Sequence, residues 1–154
     1  MNVRRNDTFR HRASELVLCM TAVWCASVPL AAQAAEPLAL RRIMSELGRN
    51  MQTVTDGLTR EDYEAVEKAA RAIASHPQPP LFEKTRIIGF VGGNMGKFKA
   101  YDGETHDAAT VLAAAANQKD GQGAIDAFQK LQSSCLTCHQ EFRKSFVEHF
   151  YGAR

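Results

Sequence analysis

From Leu38 to Phe150 the apolar residues recur every three or four positions, and no stretch shows the sustained alternation of a strand. Leu40, Met44, Leu47, Met51, Val54 and Leu58 make one stripe, which predicts a helix over residues 37–55 with Asp56-Gly57 as its turn. Tyr63, Val66, Ala70 and Ile73 make a second stripe. Thr59 is its expected cap, and Glu61, Asp62 and Glu64 supply the acids that the free amides of a first turn favour. That helix should stop near Ser75, before HPQPP. THDAATVLAAAANQ predicts a third helix, rich in the best helix former, which Lys119-Asp120-Gly121 breaks. A fourth is expected from about Gln122 to His149, with the stripe Ala124, Phe128, Leu131, Cys135, Cys138/His139, Phe142, Phe146 and Phe150. Residues 76–103, with Pro77, Pro79, Pro80, Gly92, Gly93 and Gly96, read as an irregular crossover. A loop that long in a compact domain suggests a cover, with Phe82, Phe90, Phe98 and Tyr101 packed against whatever lies beneath. The pattern predicts an all-α fold, an antiparallel four-helix bundle.

The front of the chain follows a different pattern. Arg4, Arg5, Arg10 and Arg12 precede the apolar run LVLCMTAVWCASVPL, Leu16 to Leu30, and small residues at Ala32 and Ala34 follow. This is the form of a secretory signal, with cleavage expected after Ala34. The run is short for a membrane anchor and holds Pro29. The expected organisation is therefore a signal over 1–34 and one domain over 35–154, exported to the periplasm without membrane insertion of the mature chain. Four of the 19 Lys and Arg and two of the 17 Asp and Glu lie in the signal, leaving 15 of each. With no excess positive charge, the mature domain gives no support to nucleic-acid binding. GFVGGNMGKF holds a Gly-Lys pair, but its glycines are misspaced for a phosphate loop and no Ser or Thr follows Lys97.

Cys19 and Cys25 also leave with the signal, so Cys135 and Cys138 in SSCLTCHQEF are the thiols of the mature chain. A structural zinc site usually draws on two such cysteine pairs, and only one is present. A thioredoxin-like dithiol starts a helix after a strand, whereas Cys135 lies well inside a helical pattern. Covalent heme attachment fits the spacing. Thiols at i and i+3 share a helical face and can each add to a porphyrin vinyl group, while the histidine at i+4, His139, leaves the same face to bind the iron. Phe128, Phe142 and Phe146 would wall the macrocycle, and the chain without its heme is expected to fold poorly. For the sixth ligand the mature chain offers Met44, Met51 and Met95. Met51 reads as core filling. His76 and His106 read as solvated surface histidines, and His149 lies too far along its helix to share one iron with His139.

CxxCH in the last of four helices, followed by Glu141-Phe142-Arg143, with Arg-Arg-Ile-Met-Ser-Glu-Leu-Gly-Arg-Asn-Met far upstream, resembles the cytochrome c-prime family, the class II c-type cytochromes. The similarity runs from about Leu38 to Phe150. It implies one heme c, bound through Cys135 and Cys138 and enclosed by the bundle. In high-spin members an apolar helix 1 side chain shields a vacant sixth position. In low-spin members a helix 1 methionine binds the iron and the protein carries electrons. The family position facing the iron falls on Met44, with Gly48 four residues on and Met51 seven on. Where the family often has an arginine, this chain has Leu40, and Arg41 is assigned the propionate contact. Arg143 falls beside the proximal pocket. The glycine-rich 76–103 segment is similar to that of low-spin members. The resemblance thus favours a one-electron carrier with His139 and Met44 as axial ligands, redox proteins as partners and no enzymatic role. The alternative is a high-spin protein binding nitric oxide or carbon monoxide. Members are often dimers through helices 1 and 2, and the alanine-rich faces here suit either state.

Overall fold

The structure, a computed structural model, describes residues 38–152. The expected export signal, 1–34, lies outside the described residues. The elements are α1 (Ala39–Thr59), α2 (Tyr63–Ala74), α3 (Leu81–Val91), a 3-10 turn (Gly92–Asn94), α4 (Met95–Asn117), α5 (Gly121–Cys138), a π turn (His139–Arg143) and α6 (Lys144–Tyr151). No strand occurs among the described residues, and none of their helices is long and apolar enough to cross a membrane.

Helices α1, α2, α4 and α5 form the four-helix bundle. Gly57 near the end of α1 meets Val66 near the start of α2, so the two run antiparallel. The carbonyl of Ala74 accepts from His106, and Glu67 accepts from Asn117 at 3.1 Å, which sets α2 against an antiparallel α4. Thr105 meets Ser134 at 3.0 Å and Lys97 pairs with Glu141 at 2.8 Å, reversing the chain again from α4 to α5. The ring of neighbours is continuous from α1 through α2 and α4 to α5, but α1 and α5 meet only weakly.

The buried side chains divide into two cores. The first joins Val54 of α1, Val66, Ala69, Ala70 and Ile73 of α2, Leu112, Ala113 and Ala116 of α4, and Ala124, Ala127 and Leu131 of α5. Alanines facing each other let these axes approach closely. Gly57 belongs here for the same reason, because a Cβ on it would lie 2.8 Å from the Val66 methyl. The second core is aromatic. Phe142 and Phe146 pack with Leu38, Ile87 and Val91, and Phe90, Phe98, Tyr101 and Phe150 close around them.

The 76–103 segment is largely helical rather than an irregular cover. It contains α3, the 3-10 turn and the first two turns of α4, which starts ten residues before the expected Thr105. Gly92, at φ 55°, makes the break that its lack of a side chain permits. Phe98 and Tyr101 then hold the glycine-bearing start of α4 as helix by stacking against Phe142, with ring centroids 5.3 and 6.2 Å away. Phe82 does not pack inward; it stays 78% exposed.

Helix α1 also runs past Asp56-Gly57 to Thr59, and the reversal occurs at Arg60–Asp62, with Glu61 at φ 57°. The cap of α2 is Asp62, which accepts from the Ala65 amide at 3.1 Å, rather than Thr59, whose hydroxyl donates to the Asp56 carbonyl. The break at Lys119-Asp120-Gly121 stands, with Asp120 capping α5 through the Gly123 amide.

Helix α1 has no side-chain cap of its own. The buried carboxylate of Glu83 on α3 serves instead, accepting from the Ala39 and Leu40 amides at 2.6 and 2.7 Å. Two charge-assisted bonds at a helix N-terminus tie the start of α1 to α3. Glu83→Ala should lower stability by about 1–2 kcal/mol in urea denaturation. An unchanged midpoint would contradict this role.

Candidate functional site

Cys135 and Cys138 are free thiols one turn apart on α5, both half-buried. They sit at the junction of the two cores: Cys135 packs against the alanine-rich core and Cys138 against the aromatic one. Burial pushes both thiols up, Cys138 to about 11, and the nearby carboxylate of Asp102 adds to the effect there. Such thiols are protonated at neutral pH and are poor partners for disulfide exchange, which argues again against a redox dithiol.

His139 follows directly and is exposed. Partial burial and the positive charge of Arg143 lower its pKa, so the imidazole stays neutral with a lone pair for a metal. It opens the π turn, a feature the sequence reading missed. The signal was present in the spacing. Cys138, Phe142, Phe146 and Phe150 follow at steps of four, and each such step overshoots an α-helical turn by about 40°. A turn bonded from i to i+5 takes up part of that drift and keeps the aromatic residues on the core side. Phe142 is buried there, against Phe98 and Tyr101.

The three methionines differ in their surroundings. Met51 packs on the alanine-rich core, as expected of core filling, and Met95 packs on the aromatic one. Met44 belongs to neither and is 39% exposed, although its neighbour Ile43, outside the expected stripe, is buried. Arg41 is exposed, with its guanidinium 5.4 Å from the centre of the Tyr151 ring. Arg143 is exposed beside His139. His76 and His106 are not solvated surface residues: their side chains are 7% and 29% exposed and both face Asp102. His149 stacks on Phe90, with centroids 4.3 Å apart.

The profile of the cytochrome c′ family matches residues 39–143, from the start of α1 to the end of the π turn. The chain belongs to the cytochrome c′ family. It is therefore a c-type cytochrome, a heme protein built on a four-helix bundle. No curated protein matches it.

The residues present fit a heme. Two neutral thiols and a neutral imidazole lie within five residues of one helix. Aromatic side chains pack on one side of the pair and small aliphatic ones on the other. The weakly closed seam of this cytochrome c′ chain, between α1 and α5, is bordered by the helix that carries Met44 and the helix that carries the cysteines. Phe142→Ala should destabilise the holoprotein by about 3–5 kcal/mol, because it empties the aromatic core. Phe82→Ala, at an exposed site, should change stability by less than about 0.5 kcal/mol. Equal thermal shifts for the two variants would contradict this placement of the core.

Proposed function

We propose that this cytochrome carries single electrons between redox proteins in the periplasm, with one heme c held by Cys135 and Cys138 and axial ligands from His139 and Met44. Cys135 and Cys138 would hold the heme through thioether bonds, each thiol giving its sulfur and hydrogen to a vinyl group, with no net oxidant required. When bound, heme supplies a one-electron ferric–ferrous couple.

The chain's own residues set the conditions of that couple. His139, kept neutral by partial desolvation and by Arg143, would offer its lone pair next to the two cysteines. Arg143 places positive charge beside that imidazole, and Phe142 supplies apolar wall. Arg41 on α1 offers a cation for a propionate. Outer-sphere transfer requires a held ligand set and a reachable edge, with no acid–base pair, and so no enzymatic role is assigned. A heme held at His139 would lie beside exposed surface, since His139, Gln140 and Glu141 are all exposed.

The observation that carries the ligand assignment is the isolation of Met44. Met51 and Met95 are each committed to a core, whereas the Met44 thioether is committed to neither. As a ligand, the soft thioether of Met44 would favour ferrous iron and raise the potential. The ferric protein should therefore be low-spin and show the weak red sulfur-to-iron charge-transfer band, and Met44→Ala should abolish that band and lower the potential. A high-spin spectrum indifferent to Met44→Ala, with nitric oxide or carbon monoxide binding to the iron, would replace electron transfer by ligand binding.

A further inference from the structure

Beside the CxxCH turn, but with no residue of it, three ligating side chains converge between the end of α2 and the middle of α4. Asp102 and His106 stand one turn apart on α4, and His76 comes from the segment after α2. Their ligating atoms all lie within 4.8 Å of one another. His76 Nε2 is 3.4 Å from one Asp102 oxygen, and His106 Nε2 is 3.6 Å from the other.

The remaining ring nitrogens fix the tautomers. His76 Nδ1 lies 3.1 Å from the Pro77 carbonyl, and His106 Nδ1 bonds the Ala74 carbonyl. A carbonyl only accepts, so both Nδ1 atoms carry protons and, in the neutral rings, both Nε2 atoms present lone pairs to a carboxylate. Three electron-rich atoms facing one another require a cation among them. A proton on His76 is one such cation, favoured by the Asp102 carboxylate that raises the pKa of this ring. A metal ion held by all three donors is the other, and it would serve both of the stacked rings, whose centroids are 4.7 Å apart.

We propose that His76, Asp102 and His106 bind a divalent cation of the zinc class, with no ligand drawn from the CxxCH turn. Two imidazoles and a carboxylate form a ligand set of open zinc sites. Donors about 2.0–2.1 Å from a tetrahedral zinc stand about 3.3–3.4 Å apart. The 3.4 and 3.6 Å separations are near that spacing, each imidazole facing a different oxygen of Asp102. The Pro77 and Ala74 carbonyls orient the imidazoles in the way ligating histidines are usually held. The site is open to solvent on one side, with the Asp102 side chain 41% exposed and that of His76 only 7%.

The test titrates zinc into the purified exported protein, stripped of metal and with any free thiol blocked, by calorimetry. One zinc per chain is expected, with Asp102→Asn and His76→Gln each lowering affinity by more than about tenfold. Circular dichroism checks that each variant is folded. Should His76→Gln disturb the helices, Asp102→Asn, which keeps the side-chain shape, decides alone. Absence of stoichiometric binding, or affinity unchanged in folded Asp102→Asn, overturns the proposal. The inference does not rest on the heme reading, because zinc held elsewhere, by His139 included, would be indifferent to Asp102→Asn.

Discussion

The structure turns on a helical spacing. Two sulfurs and an imidazole at i, i+3 and i+4 leave one face of α5 within a single turn, and a rigid macrocycle can be held there at three points. The chain must continue as helix past His139 so that the aromatic residues beyond it still face inward. The π turn at His139–Arg143 meets that demand, since the four-residue steps from Cys138 to Phe150 would otherwise carry those rings off the core. A widened turn directly after Cys138 is thus a consequence of packing.

The two cores divide the work. Facing alanines draw α2, α4 and α5 together, making a stiff base that ends at Cys135. Above it, from Cys138 on, large rings replace small side chains and α3 joins the packing through Ile87, Val91 and Phe90. The ring of helices is weakest between α1 and α5. Glu83 compensates at one end of α1 by bonding its first amides, so the helix bearing Met44 is anchored from α3 as well as from α2. In this cytochrome c′ chain the Met44 side chain stays outside both cores, on a helix whose first amides are tied to α3.

Much of this was legible in the sequence. The bundle, the α5 stripe and the break at Lys119-Asp120-Gly121 follow from periodicity and local cap chemistry, and the CxxCH spacing points to a heme, the cofactor that the cytochrome c′ family match supports. Other features depend on contacts between residues far apart in the chain. Proline and glycine over 76–103 signal irregularity locally, yet Phe98 and Tyr101 gain enough from Phe142 to keep the start of α4 helical. Glu83 acts on amides 43 and 44 residues away, which no local cap rule detects. His76 meets His106 only because α2 and α4 are antiparallel, so each looked like a lone surface residue. Gly57 looked like a turn because glycine often makes one, whereas here it makes room for Val66.

Attachment of the heme through Cys135 and Cys138 is tested most directly by the intact mass of the exported protein under denaturing conditions. The account predicts the mass of the mature polypeptide plus one heme, reverting to polypeptide alone when both cysteines are replaced by serine. A denatured wild-type chain with the mass of its amino acids only would contradict it.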